Sequence, residues 1–233
     1  MMIISKLQDK PKLDLSMNDN IMEESPVIDI LGIKFDEEMN FKTHVRDLAR
    51  AGASKLAALR RISPLLNAEG CKIVYESQVR PTLEFAPLTW MSCPLSHHAL
   101  LDKLDERAQR MINICDGATG RDGPANILQH RRDVAGITVL YNATFLNTPW
   151  LSVLRGTFSR PSYATREAEA SGLSLAVPRS RTTLHQRSFI PRTTRLWNVF
   201  VRTINESEIN SVQCVKLKIN NWLKFNDFTL YIM

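Results

Sequence analysis

The 233-residue sequence lacks most of the pieces on which enzyme chemistry is built. It has no Asp-Asp step, the arrangement that commonly clasps a pair of divalent cations for nucleotidyl transfer. Glu23-Glu24 and Glu37-Glu38 are acidic pairs, but they sit beside Ser25-Pro26 and Asp36 and read as solvated turns. No P-loop, G-x-S-x-G, H-E-x-x-H or glycine-rich dinucleotide fingerprint is present. Those absences exclude the commonest nucleotidase, serine hydrolase, zinc protease and dehydrogenase designs.

Cysteine is also scarce. Cys71, Cys93, Cys115 and Cys214 lie 22, 22 and 99 positions apart, with no CxxC pair, so they read as free thiols in a reducing compartment. Cys93 with His97 and His98 suggests a C-x3-H half-site, but no second half follows, and no metal or cofactor is expected in this chain. Nor is there an apolar run near the ~18 residues of a membrane span. The opening Met-Met-Ile-Ile turns polar at Ser5 and Lys6, unlike a secretory signal. The expectation is an intracellular protein of nucleus or cytoplasm with no membrane partner.

Acidic residues are missing where it matters most. None occurs between Glu169 and Glu206, a span that holds Arg179, Arg181, Arg187, Arg192, Arg195 and Arg202. Residues 1–39 carry four basic and nine acidic side chains, so the remaining 194 residues carry a net charge of +11 out of the overall +6. That segregation points to a polyanionic partner.

What is present is mostly helical periodicity. Val27 to Phe35 is rich in β-branched and aromatic residues around Gly32, which predicts a strand with a bend. Asn40 is placed to cap a helix in which Phe41, Val45, Leu48, Gly52, Leu56, Leu59 and Ile62 recur at three- and four-residue steps until Ser63-Pro64. Lys42, Arg46, Arg50, Arg60 and Arg61 fall on a different face of that helix, offset only by Asp47, and Lys55 is counted with them as a phosphate contact.

A second helix capped by Asn67 carries Ile73, Val74 and Val79 and must kink or restart at Pro81. A third follows Pro94 and Ser96 with Leu100, Leu101, Leu104, Ala108, Met111, Ile112 and Cys115, and ends in a loop from Gly117 to Gly123. A fourth runs from about Ala125 to Phe145, with Leu128, Val134, Ile137, Leu140 and Tyr141 inward. Beside them Arg131 and Arg132 either touch a phosphate or cover the solvent side of the helix. The stretch 156–186 reads as extended or irregular, and a last helix spans about Ser211 to Phe225. Trp197 and Trp222 read as core residues, not base-stacking ones. The arginine-rich stretch 179–202 is either an extended RNA-binding segment or plain surface, and the missing acids favour the former.

Several blocks carry a family resemblance. Ser25-Pro-Val-Ile-Asp-Ile-Leu-Gly-Ile-Lys-Phe-Asp36 and Asn40-Phe-Lys-Thr-His-Val45 open it. It continues through Lys55-Leu-Ala-Ala-Leu-Arg-Arg61, Tyr75-Glu-Ser-Gln-Val-Arg-Pro-Thr-Leu-Glu-Phe85, Leu104-Asp-Glu-Arg-Ala-Gln-Arg-Met-Ile112, His130-Arg-Arg-Asp-Val-Ala-Gly-Ile137 and Leu196-Trp-Asn198. Together these resemble the C-terminal part of the reverse transcriptase of a jockey-like non-LTR retrotransposon, an RNA-directed DNA polymerase.

The resemblance implies that the Leu31-Gly32 strand pair, with Lys34, is like a primer grip and that the helices after it are like a thumb holding template-primer duplex. It implies no catalytic residue: the metal-binding Asp-Asp hairpin, and the Mg2+ it would hold, belong to a palm expected before residue 1. The chain is therefore expected to be a truncated remnant, no enzyme by itself, that binds RNA or DNA without regard to sequence. The alternative is a non-catalytic protein-interaction or structural helical module.

The expected fold is mainly α. A primer-grip-like β-hairpin in 1–39 leads into a thumb-like helical bundle in 40–148, then a less regular, basic region in 149–233 that ends in a helix. To the residues already named as nucleic-acid contacts are added Arg181, Arg187 and Arg192 of the C-terminal region.

Overall fold

The computed structural model describes residues 1–4, 14–17, 19–115, 127–158, 172–204, 209 and 211–225. Contacts divide the chain into two units. Unit 1 joins Met1–Ala86 with Ser92–Arg121, and unit 2 joins Pro87–Met91 with Asp122–Met233.

In unit 1 a short hairpin of β1 (Ser16–Met17) and β2 (Asn20–Ile21) precedes a second one, β3 (Val27–Ile30) against β4 (Ile33–Asp36), in which Ile28 faces Phe35 and Asp29 faces Lys34. The turn between β3 and β4 is Leu31-Gly32, with φ of +54° and +80°. Two left-handed residues in succession match the right-handed twist of the strands, which is why a glycine sits here. Leucine pays about 1–2 kcal/mol for that conformation, and yet Leu31 is 91% exposed at the tip.

Helix α1 (Lys42–Ile62) begins after Phe41, itself left-handed at φ +56°. Asn40, expected as the cap residue, lies one position before the cap. The Asp36 carboxylate accepts the backbone N–H groups of Asn40 at 2.9 Å and Phe41 at 2.6 Å, and the Asn40 side chain accepts from Lys42 N–H at 3.1 Å. The inward face holds His44, Val45, Gly52, Leu56 and Leu59. A Cβ on Gly52 would come 2.4 Å from Leu83 Cδ2, so only glycine lets these two segments approach so closely. Ser63 and Pro64 end the helix in a 3-10 turn, as their sequence requires.

Asn67 caps α2 (Ala68–Val74) by accepting from Gly70 N–H at 2.8 Å. The chain then widens into a π turn at Tyr75–Val79 before α3 (Arg80–Leu83). The ring of Pro81 would clash with the Ser77 carbonyl in a regular helix, and the wider turn relieves that clash. The widening also brings Cys71, Tyr75, Val79 and Leu83, spaced by four, onto one buried stripe, while Ile73 stays exposed. Helix α4 (Leu95–Cys115) packs on α1 and α2 with Leu101, Leu104 and Ala108 inward. The Tyr75 hydroxyl donates to the buried Asp105 carboxylate, and Cys71 Sγ lies 3.1 Å from Cys115 Sγ. Burial pushes the Cys71 thiol up to about 11. The loop expected at Gly117 to Gly123 lies outside the described residues, as does the start of the fourth helix at Ala125.

Unit 2 is built on α5 (Ile127–Thr144), which packs against α7 (Phe189–Val201) and α8 (Val212–Phe225). The sequence placed the α5 segment with the preceding bundle, whereas its inward residues Val134, Ile137, Leu140 and Tyr141 join a core with Leu196, Trp197, Phe200, Val215 and Ile219. Ring contacts link Tyr141, Phe145, Trp197, Phe200 and Trp222 in a chain, so Trp197 is a core residue, as expected, and Trp222 packs against the core half-buried.

From Thr183 on, the stretch 179–202 is mostly helical, not extended. After α6 (Thr183–Arg187), capped by Thr182, it forms α7, with Phe189, Thr193, Leu196, Trp197 and Phe200 at helical spacing. Pro191 does not prevent this, because it stands in the first turn, where a missing N–H costs nothing. Residues 172–182 are irregular, as anticipated, and 159–171 lie outside the described residues. The Asn198 amide donates to Leu175 O at 2.7 Å and accepts from Leu175 N–H at 2.9 Å, and Trp197 Nε1 donates to Leu173 O at 2.9 Å. These bonds replace the backbone partners that a strand would have supplied.

Arg192 donates from Nε and Nη2 to the two Asp133 carboxylate oxygens, both at 2.8 Å, and both side chains are under 10% exposed. Removing one partner of such a pair strands a buried charge. Asp133→Ala should therefore destabilise the protein by about 3–5 kcal/mol, while replacing both residues with apolar ones of similar volume should cost far less. Urea titrations followed by circular dichroism measure both, and a mild loss in the single variant would refute this role for the pair.

Candidate nucleic-acid interface

At 100° per residue, the apolar side of α1 fixes where its remaining side chains point. Lys42, Arg46, Arg50, Arg60 and Arg61 fall within an arc of roughly 100° on the outward side, and all five are exposed. From Lys42 to Arg61 the helix rises about 28 Å at 1.5 Å per residue, long enough to track several consecutive phosphates of a duplex. Between the two basic clusters the same face carries Ala53 and Ala57, whose small side chains leave the helix surface open to close approach.

The hairpin is tied to this face. Lys34 Nζ reaches Asp47 Oδ2 at 2.5 Å, and Arg50 Nη1 reaches Asp47 Oδ1 at 2.9 Å. The Lys34 hydrogen bond holds the Asp47 carboxyl below its usual range, so the bridge persists at neutral pH. Lys34 thus joins β4 to α1 and leaves Leu31 and Gly32 projecting at the hairpin tip. Lys55 is not brought into the group. It leaves α1 about 180° from Arg46, and its ammonium donates to Thr82 Oγ1 at 2.7 Å.

His97, at the start of α4, belongs to the same neighbourhood and was not singled out as a contact from sequence. Burial first, and then the charges of Arg46 and Lys42, lower its pKa from the ordinary histidine value. Only folding reveals that these residues meet, since 51 positions separate Arg46 from His97.

The basic residues expected from unit 2 divide into two sets. Arg131 and Arg181 are exposed, and Arg187 is half-buried. Arg132 and Arg192 are corrected: at 2% and 8% exposure they face inward. Arg132 places its guanidinium 5.5 Å from the centroid of the Trp90 ring and donates from Nε to Leu128 O at 3.1 Å, and Arg192 grips Asp133. Neither can meet a phosphate without leaving those partners.

Among the described residues no three His, Cys, Asp or Glu side chains gather into a possible metal cluster, and no helix is long and apolar enough to cross a membrane. No family model, curated protein or solved structure matches the chain.

A phosphate seated beside Lys42 and Arg46 would offset the charges that depress His97 and so raise its pKa. By linkage, the bound state takes up a proton, and polyanion affinity must rise as pH falls through the histidine range. His97→Gln should remove this component while preserving binding at pH 8. Duplex titrations at several pH values measure the difference, and identical pH profiles for the two proteins would contradict the placement.

Proposed function

We propose that this chain is a duplex-holding module of the non-LTR reverse transcriptase kind, with the β3–β4 hairpin in the role of primer grip and α1 with its neighbours in the role of thumb. The observation that carries the reading is the outward face of α1: five exposed cations aligned along one helix whose opposite side is buried. A straight row of charges on a rigid rod suits a regularly spaced polyanion and reads no base, so the binding is indifferent to sequence. The hairpin tip supports the same reading, because a strained, exposed leucine contributes little to the fold and suits apolar contact with a primer end.

In this reading the chain makes no phosphodiester bond, since its sequence holds no adjacent aspartates, and any Mg2+ would be held by a palm. Its partner is RNA or DNA as template-primer duplex. A second reading, a protein-interaction module, draws on Leu65, Ile73 and Ile114, which stand exposed on unit 1.

Titrating the full chain with a primer–template duplex across salt concentrations separates the two. If the five α1 cations meet phosphates, the log–log slope has a magnitude of about four to five. Arg46→Gln with Arg50→Gln should lower that magnitude by about two without changing the circular dichroism spectrum. Salt-independent binding, or a variant that binds like the parent, would defeat the duplex reading in favour of the second.

A further inference from the structure

Unit 2 holds a feature that the α1 face does not explain. Residues 144–156 form a loop closed at its base by side chains. Gly156 N–H donates to Thr144 Oγ1 at 2.9 Å, Arg155 Nη2 donates to Asn147 O at 3.1 Å, and Thr148 Oγ1 donates to Asn142 O at 3.0 Å. Leu175 packs so tightly against Gly156 that an added Cβ would lie 2.7 Å from its Cδ1. Within this pinned loop the 3-10 helix at Pro149–Leu154 turns Trp150 and Val153 outward, at 83% and 87% exposure. A fixed loop that holds a tryptophan ring out in water forgoes the burial that normally recovers some of the cost of so large an apolar side chain.

Unit 2 is basic in sequence, with 14 lysines and arginines against seven aspartates and glutamates. Asp133 is the sole acidic residue among the described residues of unit 2, and it is buried against Arg192. The described surface of the unit therefore carries no carboxylate, while Arg155, Arg179, Arg181, Arg202 and Lys216 are exposed. Unit 1 is different: its described residues include more acidic than basic side chains.

We infer that unit 2 binds single-stranded nucleic acid, with Trp150 as the platform on which an unstacked base lies and Arg155, pinned in the same loop, holding the backbone together with other exposed cations of the unit. A flat π-face in the same short loop as a guanidinium group suits a base followed by a phosphate, and every base offers such a face, so the site takes single strands of any sequence. A duplex hides its base faces and would meet only the cations. The inference goes beyond the duplex reading and does not rest on it, because the residues lie in a different unit from α1.

The test uses the full chain, a short oligothymidylate and intrinsic tryptophan emission. Stacking should quench the emission on binding, and Trp150→Ala should weaken binding about ten-fold and remove most of the quenching. Trp150→Phe should restore much of the affinity. Because the side chain lies in solvent, neither change threatens the fold, which circular dichroism verifies. Arg46→Gln with Arg50→Gln should leave the Trp150-dependent quenching intact even where it lowers overall oligothymidylate affinity, so failure of the duplex reading would not be mistaken for failure here. Equal affinity of Trp150→Ala and parent would overturn the proposal, as would absence of binding. Phosphatidylserine–phosphatidylcholine vesicles supply the remaining arm: a Trp150-dependent blue shift on vesicles without oligonucleotide quenching would assign the surface to an anionic membrane and overturn it too.

Discussion

One buried ion pair takes a carboxylate off the described surface of unit 2. Asp133 on α5 is gripped through both oxygens by Arg192 on α7, and Gln129 Nε2 adds a third donor at 3.0 Å. The pair joins the two helices that carry most of the unit 2 core, and it removes from the surface the one acidic side chain found among the described residues of the unit. A carboxylate in water would attract the neighbouring arginines and blunt their field. Enclosed by its own guanidinium, Asp133 leaves the outer cations to act on whatever approaches. Unit 1 achieves a local version of this by geometry: α1 turns its apolar residues inward and places its five outward cations along one side.

The helices with strong periodicity were legible in the sequence. Helix α1 shows an apolar step every three or four residues and a Ser-Pro stop, α4 follows Pro94, and α8 carries Val215 and Ile219 inward. The bend at Gly32 marked the hairpin, and Asn67 marked a cap that the structure contains. Helix α7 was not legible, because Pro191, two adjacent threonines and a dense set of arginines resemble an irregular basic segment. Its helical character depends on where the proline falls relative to the helix start, which only the turn at Ser188 fixes. The π turn is similar: Pro81 announced a disturbance, but its form follows from the stripe that Tyr75 and Val79 must complete against α4.

Of the candidate site's residues, the exposed α1 cations were legible in the sequence, and the placement of the others was not. Residue type alone puts arginine at the surface, so Arg132 and Arg192 looked identical to Arg131 and Arg181. Their difference lies in partners that the sequence does not place beside them: Asp133 is 59 positions from Arg192, and Trp90 is 42 from Arg132. Lys55 was grouped with the α1 cations although it points to another side of the helix, where Thr82 receives it. His97 and Trp150 were passed over for the opposite reason. Histidine beside a cationic helix and tryptophan in an exposed loop acquire meaning only once neighbours and solvent exposure are known.

Arginine modification read residue by residue tests the division between inner and outer cations most directly. The full chain would be treated with phenylglyoxal alone, with primer–template duplex, or with single strand, and the adducts mapped by mass spectrometry. Arg132 and Arg192 should stay unmodified in every case, Arg46, Arg50, Arg60 and Arg61 should be shielded by duplex, and Arg155 by single strand. Rapid modification of Arg192 in the folded protein, or equal labelling of the α1 arginines with and without duplex, would contradict the account.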